Sequence, residues 1–371
     1  MKFVIEKKTI FKSLTHLQSI VDKRNVLPIL SNILIEAKNN ELTMSSTDMD
    51  ISIKENINCE VIEEGATTIN AQLIYDIIKK LHDQSKIEII SNDGKILTLR
   101  SGVSKFSLAC LPKEDFPLIE SKIEGNKVTT KAENIFNLID KTKFAISNEE
   151  TRYFLNGLYF SINNENDKSM LTFVGTDGHR LAKLSIANAI KTDNVNGVII
   201  PKKTINELYK LLSEKSEDIQ IEINSNKIIF YIGKLILISK LIDGTFPDYK
   251  RVIPKNNNEN LYINRSNLLS AVDRVSTIVN EKSPVIKFKL FKNLVNLSTV
   301  NKDNSSATED IEANFEGKEI EIGFNAKYIM DMLENLKENE ILISFMDNAS
   351  PIIAQEKSHP DLIYVLMPMR V

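Results

Sequence analysis

The feature that most constrains this chain is a threefold repeat. An extended stretch running into a helix start occurs as "FVIEKKTIFKSL" from Phe3, "VTTKAENIFNLI" from Val128 and "LYINRSNLLSAV" from Leu261. Ile10, Ile135 and Leu268 fall at one position of it, and Phe11, Phe136 and Leu269 at the next. A second helix recurs as "NAQLIYDIIKKL" from Asn70, "PKKTINELYKLL" from Pro201 and "NAKYIMDMLENL" from Asn325. Its apolar residues are Ile74, Ile77, Ile78 and Leu81, then Ile205, Leu208, Tyr209 and Leu212, then Ile329, Met332, Leu333 and Leu336. Each set has the i, i+3, i+4, i+7 spacing of a single helix face. Asn70 and Asn325 suit N-caps, and Pro201 suits a first helical turn.

After these helices the pattern changes to period two. "KIEIISNDGKILTLRSG", "DIQIEINSNKIIFYIGK" and "EILISFMDNASPIIAQE" each predict strand, turn, strand. A repeat is therefore strand, helix, strands, helix, strands over roughly 110 to 130 residues. Helices on one face of an antiparallel sheet make the fold class α+β. Polar stretches at Ser121 to Asn126 and Asn256 to Asn260 place three repeated domains at 1–121, 126–255 and 259–371. No low-complexity linker separates them, so a fixed line of domains is expected. Edge strands pairing across each boundary would make the sheets continuous.

Composition excludes several classes. Of 371 residues, 42% are hydrophobic and 26% charged, as in ordinary soluble domains. The apolar run "LILI" from Leu235 is far short of a membrane span, and the amino-terminal stretch lacks a signal peptide's apolar core, so a cytoplasmic protein without membrane contact is expected. The two cysteines, Cys59 and Cys110, are expected as free thiols. No phosphate-binding glycine loop, dinucleotide fingerprint or nucleophile elbow occurs. The four histidines, His16, His82, His179 and His359, show no metal spacing. No cofactor, metal or catalytic residue is expected.

One stretch first reads as chemistry. "VGTDGHRLAK" (Val174 to Lys183) puts Asp177 two residues before His179, as an acid–base pair would need. However, "SSTDMDISIK" (Ser45 to Lys54) has the same layout one repeat earlier. Thr176-Asp177 and Thr47-Asp48 are therefore expected to be turn residues, the Asp accepting local backbone hydrogen bonds. Asp48 and Asp50 are expected at a solvated strand end.

Basic residues gather at the helices and their ends: Lys7, Lys8 and Lys12; Lys23 and Arg24; Lys79 and Lys80; Lys141, Lys143 and Arg152; Lys202, Lys203 and Lys210; Arg265 and Arg274. A net charge of −3 does not exclude a local basic face. Suppose these helices line a curved surface. Two helices per repeat give six per chain, and six in a circle leave a hole of only about 10 Å, whereas twelve leave roughly 28 Å. The duplex major groove alone is ~12 Å wide, so a ring around DNA needs two chains joined head to tail.

The whole chain resembles the bacterial sliding clamp family, the beta subunits of DNA polymerase III. The most specific pieces are "LPILSNILIEA", "RSGVSKFSLACLPKEDFP", "TRYFLNG", "TDGHRLA", "DGTFPDYKRVIP", "EIGFNAKYIMDML" and "YVLMPMRV", in order along the chain. The resemblance implies a head-to-tail homodimeric ring around duplex DNA, a processivity factor without catalysis. It implies as partners the polymerase III catalytic subunit, the ATP-driven clamp loader, and other proteins with clamp-binding motifs in repair, mismatch repair and regulation of initiation. By position, it implies DNA contacts from Arg24, Gln72, Arg152, Tyr153, Phe154, Lys202 and Lys203. Gln72 stands where many relatives carry Arg, and Phe154 where many carry Tyr.

The resemblance also implies a partner-peptide groove. Its walls are Leu155, Thr176, Gly178, His179, Arg180, Leu181, Pro247, Arg251, Val252, Asn325 and Tyr328, with the tail Val365, Leu366, Met367, Pro368, Met369, Arg370 and Val371. Within it, His179 and Arg180 are expected as a polar rim and Leu181 as a residue facing the guest. On residues alone, "MPMRV" reads equally as the end of a last strand. Ser283-Pro284 and the final Val371 depart from commoner relatives. For the dimer joint, the resemblance implies Lys105 and Leu108 opposite Thr277, Ile278 and Glu309, with a Lys105–Glu309 charge pair. Two readings without a ring stay open on the residues: a nuclease using Asp177 and His179, and a protein-only scaffold.

Overall fold

The computed structural model describes residues 1–21, 27–117, 119–165, 168–190, 192, 194–213, 217–279, 284–300 and 305–370. Arg24, Ser283 and Val371 lie outside the described residues. Among the described residues each repeat carries two helices. They are α1 (Lys7–Gln18) with α2 (Ala71–Lys80), α3 (Ala132–Thr142) with α4 (Lys202–Leu212), and α5 (Arg265–Ser276) with α6 (Ala326–Asn335). All strand pairings are antiparallel, so the α+β expectation holds.

The repeat is visible in single atoms. The N–H of the first residue of α1, α3 and α5 donates to a carbonyl beyond the repeat's second helix: Lys7 to Ser85 at 3.0 Å, Ala132 to Glu217 at 3.1 Å, Arg265 to Asn339 at 2.8 Å. Ile10, Ile135 and Leu268 are all fully buried, while Phe11, Phe136 and Leu269 are all half-buried. Asn70 caps α2 by accepting from the Leu73 N–H, and Asn325 caps α6 by accepting from Lys327 and Tyr328. Pro201, expected inside α4, instead ends the strand Val195–Pro201 that feeds it.

The hairpin turn that follows the second helix of each repeat is closed by a side chain. Asp93, Asn224 and Asp347 each place Oδ1 on the N–H groups two and three residues on, at 2.6–3.2 Å. These carry the strand–turn–strand pairs Lys86–Ile90 with Ile96–Ser101, Asp218–Ile223 with Lys227–Ile232, and Glu340–Phe345 with Ile352–Glu356. A short polar side chain that replaces the missing backbone bonds of a tight turn explains why Asx recurs where little else does.

The repeats in sequence and the compact units in space divide the chain differently. One unit is Met1–Ile135 with Lys203–Leu241; the other is Phe136–Lys202 with Ile242–Val371. The middle repeat is split because its strands join the sheets of its neighbours. In the first unit Leu235–Lys240 pairs with Ile51–Asn58, within a 13-stranded sheet. In the second, Arg180–Asn188 pairs with His359–Leu366, within a 9-stranded sheet beside a separate 4-stranded one. This is the edge pairing across repeat boundaries expected from sequence. Helix faces and strand interiors supply the core: Ile10, Leu14, Leu17, Ile74 and Ile78 in the first unit, Leu268, Val272, Ile329, Met332 and Leu333 in the second.

Several cations expected on a basic face hold helices together instead. Lys7 Nζ donates to the carbonyls of Lys79 (3.3 Å) and Leu81 (2.5 Å) at the end of α2 and to Asp83 (2.7 Å). Arg265 Nη1 donates to Leu333 O near the end of α6 at 3.2 Å, and Lys141 Nζ reaches Asn335 O. Cations at helix C-termini complete orphan carbonyls and oppose the helix dipole. Cys59 and Cys110 are free and half-buried, as expected. Burial, and then Glu41, push the Cys59 thiol up to about 11.

Candidate functional site: an apolar groove beside a Thr-Asp turn

The two Thr-Asp turns are the same structure. Thr47 Oγ1 donates to Ile51 O (3.0 Å) and accepts from Met49 N–H (3.0 Å), while Asp48 Oδ1 accepts from Asp50 and Ile51 N–H at 2.9 and 2.8 Å. Thr176 Oγ1 donates to Arg180 O (2.6 Å) and accepts from Gly178 N–H (3.1 Å), while Asp177 Oδ1 accepts from His179 and Arg180 N–H at 2.9 and 3.0 Å. The third residue has positive φ in each, Met49 at 81° and Gly178 at 87°. The Asp is thus architectural in both. Asp177 Oδ2 takes Arg180 Nε at 3.0 Å, and the exposed His179 ring lies along Tyr328, so this turn does not assemble an acid–base pair. Asp48 is not the solvated strand end expected. Its carboxylate is nearly buried and takes Lys203 Nζ at 2.5 Å; Asp50 pairs with Lys240.

The second turn borders a groove of about 290 Å³ within the second unit. The lining comes from short segments held by regular elements. Arg152, Phe154 and Leu155 stand on the 3-10 turn Glu150–Leu155; Thr176, Gly178, Arg180 and Leu181 on the hairpin; Pro247, Tyr249 and Val252 on the segment around the 3-10 turn Tyr249–Arg251; Val365 and Met367 at the end of the last strand. Leu155, Leu181, Tyr249 and Val365 of this lining belong to an apolar cluster with Val174, Ile199 and Phe246. Tyr159 braces that cluster, its ring 5.1 Å from Phe246 and 5.8 Å from Tyr249. Gly197 faces the Tyr159 ring so closely that a Cβ would stand 1.9 Å from it. Burial chiefly raises the Tyr249 hydroxyl, with Tyr159 and Asp248 adding to it.

Arg180 locks the turn to its surroundings. Besides Asp177, its guanidinium donates to Asp331 Oδ2 on α6 at 2.5 Å and to Phe144 O at 2.8 Å. It lies 4.5 Å from the Tyr328 ring centroid and 5.3 Å from that of Phe144. With only 9% of the side chain exposed, it is a buried tie rather than the rim residue expected. Charge-assisted bonds in so dry a place are strong and rigid. Opposite it, Arg152 grips Glu149 with two bonds of 2.7 Å, which hold the Glu149 carboxyl below its usual range. Arg152 Nη1 also packs over Gly178, where a Cβ would come within 2.5 Å of it.

The structure brings together Leu155, Thr176, Gly178, Arg180, Leu181, Pro247, Val252, Val365 and Met367 of the expected groove residues. The others lie around it. His179 is exposed; Arg251 points to solvent and pairs with Asp248; Asn325 caps α6; Tyr328 stacks on His179 and Arg180. Leu366 is buried in the sheet, and Met369 bridges to Gly323, with half-buried Pro368 and exposed Arg370 beside it. Tyr249 was missed because "FPDYKR" reads as a turn. Arg152 and Phe154, expected to face DNA, line the groove as well.

Of the other expected DNA contacts, Tyr153 is 55% exposed. Lys202 donates to Asn148, Lys203 is held by Asp48 and Ile20 O, and Gln72 bonds Gln18 and Asp76. In the expected dimer residues, Lys105 and Thr277 are exposed and Ile278 half-buried. Leu108 is only 7% exposed, so its burial is already complete within the chain. Glu309, expected to meet Lys105, is engaged by Arg274 of its own repeat at 3.0 and 2.5 Å.

A threefold α+β repeat with sheets shared across repeats defines a clamp-type fold. Family models described as the N-terminal, central and C-terminal domains of the DNA polymerase III beta subunit match residues 1–120, 129–248 and 250–370. Proteins named Beta sliding clamp from Caulobacter vibrioides and Pseudomonas putida are 39% and 32% identical, over 100% of both chains in each case. A solved DnaN sliding clamp from Bartonella birtlesii bound to griselimycin superposes with a TM-score of 0.96 at 39% identity, covering 100% of both chains. One from Pseudomonas aeruginosa, also bound to griselimycin, has a TM-score of 0.95 at 32% identity, again over 100% of both. The chain belongs to the DNA polymerase III beta subunit family, the beta sliding clamps.

Proposed function

We propose that this protein is a non-catalytic processivity clamp of DNA replication, acting as a cytoplasmic head-to-tail homodimer closed around duplex DNA. Three domains at 1–121, 126–255 and 259–371 would contribute six helices from each chain, twelve to the ring. Family membership over the whole chain is the observation that carries the reading. Contact with phosphates holds without reading sequence, which is what a sliding tether needs. Tyr153, which is 55% exposed, and Lys202, whose partner Asn148 is itself exposed, are proposed to make such contacts. Lys203 would exchange its Asp48 partner for phosphate, and such exchange keeps each contact weak.

Dimer formation is supported by two incomplete strand edges. Among the described residues, Ser306–Glu312 pairs on one side only, with Leu294–Val300, and Ser104–Leu111 has a second partner only at Cys110 and Leu111. Open edges of this kind invite pairing with another chain. Ile278 would add apolar burial at the joint.

The groove is proposed as the docking site for apolar peptide segments of the polymerase catalytic subunit, the clamp loader and other clamp-binding proteins. Griselimycin, bound by two relatives, is proposed to occupy the same place. Leu181 and Val365, only 3% and 1% exposed, already pack into the chain and support the groove from within its lining, so Leu181 does not face a guest as openly as expected. Titration of griselimycin tests this. The native chain should bind, and Leu181→Lys should abolish binding; retained affinity in a folded Leu181→Lys chain contradicts the assignment.

A further inference from the structure

The groove carries one residue whose chemistry can be changed reversibly. Met367 lines it and is 40% exposed. Its backbone is pinned, because its N–H donates to His179 O at 2.9 Å. Met44 and Met332 are fully buried. Met49 and Met346 are about half exposed but stand on turns and do not line the groove. Met367 therefore combines access for an oxidant with a place in the guest's path.

We propose that Met367 is an oxidation-sensitive position that closes the groove to apolar guests; the inference rests on the groove reading above. Hydrogen peroxide transfers one oxygen to the thioether sulfur. The S–O bond forms, the O–O bond breaks, the sulfur is oxidised by two electrons, and water leaves. The product is a polar, chiral sulfoxide that a reductase with a thiol donor returns to the thioether. A flexible apolar side chain suits a pocket that repacks around its guests, and the sulfoxide removes that property.

The sulfoxide oxygen needs a donor once a guest displaces its water. Several donors at the groove are already engaged with the protein. Gly178 N–H serves Thr176, Arg180 serves Asp177, Asp331 and Phe144, and Arg152 serves Glu149. Guest binding would bury a polar oxygen beside Leu181, Val252 and Val365.

The test treats the full chain with hydrogen peroxide, locates added oxygen by peptide mass mapping, and titrates griselimycin. Oxidation at Met367 should weaken binding about tenfold or more. Methionine sulfoxide reductases with a thiol reductant should restore it. Met367→Leu, compared with its own untreated affinity, should lose nothing although Met49 and Met346 still gain oxygen. Unchanged affinity with Met367 oxidised, an equal loss in Met367→Leu, or oxidation that spares Met367 while marking Met49 and Met346 would each overturn the proposal. Absence of griselimycin binding to the untreated chain would instead overturn the groove reading, and this inference with it.

Discussion

Gly178 shows how much one position can fix. Its φ of 87° lies in the left-handed region, and its missing Cβ leaves room for the Arg152 guanidinium. Met49 holds the same conformation at the matching turn, so the fold tolerates a side chain there when nothing packs over it. Gly178→Ala is therefore expected to destabilise by about 1–2 kcal/mol, from strain and from displacing Arg152. Denaturant unfolding measures the first effect, and griselimycin affinity, expected to fall, the second. An alanine chain as stable as the native one would show that the turn relaxes freely. From sequence, the shared Thr-Asp layout revealed the turn, but not that Arg180 is buried. Its anchors Phe144 and Asp331 lie 36 and 151 residues away. Periodicity records local spacing, whereas this network is held by tertiary packing.

At the scale of elements, the helix faces, N-caps and hairpins were legible because each is set by residues within one or two turns of chain. The function of cations was not. Lys7 and Arg265 read as surface charge, yet they complete the C-terminal carbonyls of α2 and α6, which sequence alone does not place beside them. The groove was legible largely by family resemblance. Tyr249, a turn residue in sequence, became part of it only when the chain folded back on Tyr159. The open edges make a further prediction. If Ser104–Leu111 of one chain meets Ser306–Glu312 of another, Ile278→Lys at the joint should favour monomers. Light scattering should give a mass near twice 42.1 kDa for the native chain and move toward 42.1 kDa for the variant. An unchanged dimer would remove Ile278 from the interface.

At the scale of the whole molecule, acid should weaken the fold in a defined direction. Lys2 holds Glu88 down, Arg274 holds Glu309 down, Lys287 holds Glu321 down, and Lys7 holds Asp83 down. A carboxyl with a depressed folded value stabilises above its ordinary value, here 4.5 for Glu and 3.8 for Asp, and loses that contribution as pH falls through the folded one. The thermal midpoint should be level near neutrality and drop below about pH 4. A midpoint that rose on acidification would contradict these pairings.

On the proposed function, the protein holds DNA topologically, by enclosing it rather than by gripping it. Labelled protein, placed by a clamp loader with ATP on a nicked circular duplex, is followed before and after the circle is cut once. Retention on the circle and loss within the same minutes after linearisation is the predicted result. Equal retention on circular and linear DNA would contradict it.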